Sequence, residues 1–308
     1  MEIRSNSLKE VLSRAFGLNI APNNLLEASA TVGETGNEKA SNLVVIDEEL
    51  RKRAGRRLIA EELNKQKNIE EVVERADKIL LSEPEPTDQH YEETDQGWID
   101  DCLDGAGKAY HEDLKNYWAR LLAGEIKHPG FYSLRAIDFM KKLSKKDAER
   151  IRRICQYVMY DNKGDAVIFK YDSEEISYGD LSFLMELRLL DSSSFVVKQY
   201  KFETGEGYAF LFKNNVGFLI KVKKREYDLP IYSFTELGKE ILTIIDDTGV
   251  NLDYLKNFAT EITKMKEIEV VVGEFVRMGT SVSFLKNDKY FEIPIKLNAE
   301  ESAQEGSK

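Results

Sequence analysis

Along residues 47–81 apolar positions recur at helical spacing: Leu50, Ala54, Leu58, Leu63, Ile69, Val72, Val73, Ala76 and Leu80 stand among many Glu, Lys and Arg, with no proline between them. This periodicity predicts one long helix, or two joined near residues 66–68, with the apolar stripe turned inward. The charges between these positions read as a solvated face laced with i,i+4 pairs. Two prolines and several acids in residues 82–90 end the pattern, because proline lacks the amide that a helix interior needs.

A second helix opens near Trp98, and in a third Leu114, Tyr117, Trp118, Leu121 and Leu122 fall on one stripe. Pro129 and Gly130 turn the chain. Ser133 is placed to cap a helix carrying Leu134, Ile137, Met140 and Leu143 inward. Ser144 with Asp147 reads as a capping box for a further helix bearing Ala148, Ile151, Ile154, Cys155, Val158 and Met159. The stretch "YWARLLAGEIKHPGFYSLRAI" is therefore architecture, with Trp118 in a core; Glu125 and Arg135 are the polar positions that packing alone does not explain.

After Tyr160 the period changes. "DNKGDAVIFKYDS" reads as a turn and a short strand, and residues 177–190 as a helix with Leu181, Leu184, Met185 and Leu189 inward. "FVVKQYKF", "GYAFLF" and "GFLIKVKK" alternate as strands, the last two joined by the hairpin turn "KNNVG". "IYSFTELGKEILTII" is a strand running into a capped helix. Helices followed by a β-hairpin is the order of a winged helix-turn-helix. "LDYLKNFATEITKM", "EIEVVV", "TSVSFL" and "KYFEIPI" add a helix and three strands.

The expected fold class is thus α+β and predominantly helical. An N-terminal segment and linker occupies 1–46, with one short amphipathic stretch, "LKEVLSRAFGL", docked on the body. A helical region spans 47–130, a winged-helix-like domain with a β-hairpin 131–248, a small C-terminal α+β unit 249–298, and a disordered polar tail 299–308.

Composition narrows the function classes. The chain has 308 residues and a formal net charge of −11, so it does not coat nucleic acid through its global field, and any such site must be local. Between Leu134 and Val158 eight basic residues (Arg135, Lys141, Lys142, Lys145, Lys146, Arg150, Arg152 and Arg153) face three acids, a usable phosphate patch. The wing adds Lys213, Lys221, Lys223, Lys224 and Arg225. The helix in the recognition position carries Glu174, Glu175, Asp180, Glu186 and Asp191 against Arg188, and such a helix would be repelled by a major groove, so binding would proceed without base readout.

Two isolated cysteines, Cys102 and Cys155, form no disulfide framework, and with no signal-like or membrane-spanning window the expected location is the cytoplasm without membrane insertion. His90, His111 and His128 share no ligand spacing, and no phosphate loop, dinucleotide fingerprint or nucleophile elbow occurs, so no catalytic, cofactor or metal residue is singled out. Asp95, Asp100, Asp101, Asp104, Glu112 and Asp113 supply carboxylates for a metal-dependent nuclease.

"KQKNIEEVVERADKIL" and "DQGWIDDCLDGAGKAYHEDLKNYWARLLAGEIKHPGFYSLRAIDFMKKLSKKDAERI" resemble the bacterial family known as domain of unknown function 2806 (DUF2806), over about residues 55–245. "AYHEDL" and "DQGW" depart from the more acidic versions that the family pattern leads one to expect. The WARLLAGE region is also similar to helical modules of some abortive-infection proteins. These resemblances imply domain order and carry over no activity. The expectation is a non-enzymatic interaction or regulatory protein that binds a protein partner or itself. The alternatives are a sequence-tolerant nucleic-acid binder, in phage defence or a mobile element, and a metal-dependent nuclease.

Overall fold

The structure is a computed structural model that describes residues 11, 13, 15, 48–82, 94–170, 175–191, 197–201, 207–264, 268–278, 281–286 and 289–294. The expected linker, His90, the tail and most of the N-terminal amphipathic stretch lie outside the described residues. The fold is α+β, with more residues in helices than in strands. Contacts divide the chain into two units, residues 1–145 and 146–308.

In the first unit the long periodic segment is a single helix, α1 (Glu48–Ser82). It is followed by α2 (Gln96–Gly107), α3 (Glu112–Lys127) and α4 (Leu134–Lys142). Asp95 caps α2 by accepting from the Trp98 amide at 2.8 Å. Val72, Val73 and Ala76 of α1 are buried, as are Ile99, Cys102 and Ala106 of α2 and Trp118, Leu121 and Leu122 of α3. The buried Asn68 donates to the Gly107 carbonyl at 2.9 Å, joining α1 to the end of α2.

The expected inward stripe holds for only half of α1. Leu50, Leu58 and Leu63 are exposed, as is Leu134 of α4. A period shows that a face is apolar; it does not show that anything packs on it.

The second unit begins with α5 (Lys145–Cys155), whose first residue sits at the boundary. Then come β1 (Met159–Asp161), β2 (Ala166–Phe169), α6 (Tyr178–Glu186), β3 (Val197–Lys201), β4 (Gly207–Lys213), β5 (Val216–Val222) and β6 (Glu226–Ser233). α7 (Glu236–Ile245), α8 (Leu252–Thr263), β7 (Ile268–Met278), β8 (Ser281–Lys286) and β9 (Lys289–Pro294) complete it. The nine strands form one sheet in the order β3-β6-β2-β1-β4-β5-β7-β8-β9, every pair antiparallel.

The predicted β4–β5 hairpin is present, with Asn214 at φ 53° in its two-residue turn, a conformation that asparagine tolerates. Its outer strand is not an edge, because β5 pairs with β7 from Val216↔Glu274 to Val222↔Ile268. Residues 249–294, expected as a separate unit, therefore extend this sheet. α8 is fixed to it as well: the Tyr254 hydroxyl donates to the Phe169 carbonyl at 3.2 Å and accepts from the Phe169 amide at 3.1 Å. Phe258 stacks on Phe169 with ring centroids 4.0 Å apart. The boundary expected at 248–249 is not one, because strand pairing at long sequence separation leaves no local signal there.

Candidate functional site

The patch expected to hold phosphate draws on α4, α5 and the wing. Lys141, Lys142 and Lys145 belong to the first unit; Lys146, Arg150, Arg152, Arg153, Lys221, Lys223, Lys224 and Arg225 belong to the second. Each unit has its own account of where those charges go.

On α5 the arginines point at carboxylates. Asp180, in the first turn of α6, is buried, and its Oδ1 accepts from Arg150 Nε at 2.9 Å and from Arg153 Nη2 at 2.8 Å. Ser177, the N-cap of α6, donates to Asp180 Oδ2 at 2.9 Å and accepts from the Asp180 amide at 3.1 Å. Arg150 also donates to the Gly179 carbonyl at 2.8 Å and lies over the Phe183 ring, 4.2 Å from its centroid. Burial opposes the charge on Asp180, but the hydrogen bonds from Arg150, Arg153 and Ser177 outweigh it and hold this carboxyl below its usual range. The acid expected to repel DNA from a recognition helix is thus an internal tie between α5 and α6.

Arg152 meets Asp247 at 2.7 Å. In the turn between β5 and β6, Lys223 pairs with Glu269 of β7 at 2.9 Å, and Lys221 lies 4.0 Å from the same carboxylate. The hydrogen bond from Lys223, aided by the charges of Lys223 and Lys221, lowers the Glu269 carboxyl. Lys213, expected among the wing cations, is 4% exposed and cannot meet a phosphate. It pairs with Asp246 at 2.7 Å and donates to the Cys155 carbonyl at 2.7 Å and Thr248 Oγ1 at 3.1 Å. Lys142, Lys146, Lys224 and Arg225 are exposed. In the first unit Lys141 meets Asp101 at 3.1 Å.

Two open clefts flank residues 248–249. One, of about 480 Å³, is lined by Glu149, Arg152, Arg153, Gln156 and Val250; the other, of about 400 Å³, by Tyr160, Phe212, Asn214 and Thr243. Asp246 beside them is committed to Lys213 and to the Thr248 amide and hydroxyl. Burial pushes the Tyr160 hydroxyl and the Cys102 and Cys155 thiols up, which keeps the thiols protonated and weakly nucleophilic.

At least four of the six carboxylates that a nuclease would draw on have partners in the fold, Asp101 through Lys141 and three others. Asp95 caps α2, Asp104 pairs with Lys108 at 2.7 Å, and Glu112 pairs with Arg75 and Lys115. Among the described residues no group of three His, Cys, Asp or Glu side chains is placed to hold a metal ion.

The motif stretch of α2 to α4 forms a packing lock. Glu125 is 2% exposed and accepts from the Gly130 amide at 2.7 Å and the Tyr132 amide at 2.9 Å, so its carboxylate holds the Pro129-Gly130 turn. Trp98 Nε1 donates to the Tyr132 carbonyl at 2.9 Å. A Cβ on Gly105 would stand 2.3 Å from the Trp118 ring, and one on Gly124 2.7 Å from the Tyr132 ring, so both positions require glycine. Seven residues of the resembling stretch, Trp98, Gly105, Trp118, Gly124, Glu125, Gly130 and Tyr132, therefore take part in this lock. Residues 52–259 match the family described as protein of unknown function (DUF2806). The chain belongs to that family. No curated protein and no solved structure matches it. The DUF2806 region takes in nearly all of α1, the packing lock and the second unit as far as α8, and stops short of β7 to β9.

The first half of α1, which holds the start of this region, carries side chains that the expected patch left out. Arg51, Lys52, Arg53, Arg56 and Arg57 put five cations in seven residues, with no acid among them, and all five are exposed. That window was visible in the sequence; the acids on either side hid it inside a mixed-charge helix.

Proposed function

We propose that this DUF2806 protein is a non-enzymatic interaction or regulatory protein whose contact surface is the uncovered first half of α1. One observation carries the reading. Leu50, Leu58, Ile59 and Leu63 are 52%, 58%, 63% and 66% exposed on a helix whose second half is packed. Leu50 and Leu58 lie on one side of the helix and Ile59 and Leu63 on the other, so large aliphatic side chains are left in water around a whole segment, which gains by being covered.

A winged-helix-like core belongs to the same proposal. The order α5, α6, β4–β5 hairpin supports it, and the pairing of β5 with β7 gives the hairpin a structural role in place of a free wing. A phage-defence or mobile-element context rests on the local likeness of WARLLAGE to abortive-infection modules alone. Phosphate binding by α5 and the wing has less support, because Arg150, Arg152, Arg153 and Lys223 meet carboxylates of this chain. So does a nuclease, for the same reason at Asp104 and Glu112.

The test is a photo-reactive residue placed at position 58 in the full chain expressed in cells, with position 138, also exposed, as the control. A discrete adduct from 58 and not from 138 is the expected result. Equal labelling at both positions, or none at 58, would refute the proposal.

A further inference from the structure

We infer that the exposed half of α1 is a phosphate-binding face for duplex nucleic acid. This rests on the reading of the exposed half of α1 as a contact segment, takes its cationic side, opposite Leu58, and names the partner of that side.

With about 3.6 residues per turn, Lys52, Arg53, Arg56 and Arg57 fall on one side of α1. Val72 and Ala76, which pack against the rest of the first unit, lie opposite Arg53 and Arg56, while Arg57 stands on the flank nearest Asn68 and Lys52 on the flank nearest Val73. Arg53 and Arg56 therefore face away from the body that holds the helix, and Lys52 and Arg57 border that face. Lys52 is shared with Glu48 and Glu49 at 3.4 and 3.5 Å, and Arg57 meets Glu61 at 3.5 Å, with both members of each pair in water. Such pairs are weak and exchange readily for another anion. Arg51, Arg53 and Arg56 have no ion pair or hydrogen bond among the described residues.

This is the reverse of α5, whose guanidinium groups are held by carboxylates of the fold. A rise of about 1.5 Å per residue separates Arg53 from Arg57 by about 6 Å along the axis, a spacing that lets neighbouring guanidinium groups reach successive phosphates. A duplex presents about one charge per 1.7 Å of its axis, the densest regular array of anions a helix face of this length can meet. Arginine suits it because the planar fork binds phosphate oxygens in pairs.

A bilayer fits less well. The exposed aliphatic side chains do not share one face to insert: Leu50 and Leu58 lie on the side of α1 that carries the packed unit farther along, with Glu61 among them, and Ile59 and Leu63 lie on the other side beside Lys52 and Arg56. α1 has no aromatic residue to anchor at an interface.

The experiment is fluorescence anisotropy of the full chain with labelled DNA and RNA duplexes of about two helical turns, at about 50 and 200 mM salt. Wild type is compared with Arg53→Gln/Arg56→Gln/Arg57→Gln and with Lys142→Gln/Lys146→Gln. Three phosphate contacts predict an affinity that falls about 40-fold between the two salts. They also predict loss of at least tenfold at the lower salt in the α1 variant and little change in the other. Absence of duplex binding, binding without salt dependence, or equal loss in both variants would overturn the assignment. Binding to phosphatidylserine vesicles in place of duplexes, lost in the α1 variant, would overturn it in favour of a membrane surface. An adduct from position 58 to a protein, with no duplex binding, would leave the contact surface standing and remove nucleic acid as its partner.

Discussion

Two stretches of this chain are rich in arginine, and they spend their charge in opposite ways. α5 holds Arg150, Arg152 and Arg153, which meet Asp180 and Asp247 at 2.7 to 2.9 Å. α1 holds Arg51, Arg53, Arg56 and Arg57, of which, among the described residues, Arg57 alone has an ion pair, and that one lies in water. By window counting α5 is the better phosphate patch; by geometry α1 is. The acids that neutralise α5 lie far from it in sequence and arrive only when α6 and the end of α7 pack beside it. Local charge balance measures composition, whereas a ligand meets only the charge that folding leaves uncommitted.

This contrast predicts a graded series of stability effects. The largest is at Lys213, a wing cation by sequence and a buried one by structure. Lys213→Ala leaves Asp246 buried without its partner, and urea unfolding should show a loss of about 3–5 kcal/mol. A loss below about 1 kcal/mol would return Lys213 to the surface patch.

Next comes Asp180. Asp180→Asn keeps the shape and removes the charge, at an expected cost of about 1–2 kcal/mol at neutral pH, a range kept low because Arg150 and Arg153 remain partly in water. The sign with pH follows from its lowered carboxyl. A group more acidic in the folded chain stabilises it above the unfolded value of about 3.9, and that contribution fades as pH falls through the folded value. Wild type and variant should therefore keep a constant gap down to about pH 4 and converge below it; a gap that persists unchanged well below that pH would mean that the loss does not come from the charge of Asp180.

Arg152→Ala is the smallest of the three. Its pair with Asp247 is half in water, so the expected change is about 0.2–1 kcal/mol, read from the same urea midpoints.

Much of the architecture was legible in the sequence, and for stated reasons. The stripe through Trp118 and Leu122, the Pro129-Gly130 turn, the Asn214-Asn215 hairpin and the capped helix after Thr235 are local patterns, and each sits where its pattern placed it. What was not legible depends on long-range partners. The pairing of β7 with β5 makes one sheet of two expected units, and no residue near 249 announces it. Likewise Leu58 and Val72 occupy equivalent positions of one periodic pattern, yet only Val72 is covered. Glu125 was recognisable as unusual but not as the acceptor for Gly130 and Tyr132, since a carboxylate's partners appear only in three dimensions.

The comparison itself is tested most directly by unfolding two alanine triples side by side, Arg150→Ala/Arg152→Ala/Arg153→Ala and Arg53→Ala/Arg56→Ala/Arg57→Ala. The α5 triple should lower the urea midpoint of the second unit, while the α1 triple should leave every transition within about 0.5 kcal/mol of wild type. An α1 triple as destabilising as the α5 triple, or an α5 triple without effect, would contradict the division of the arginines into structural and free.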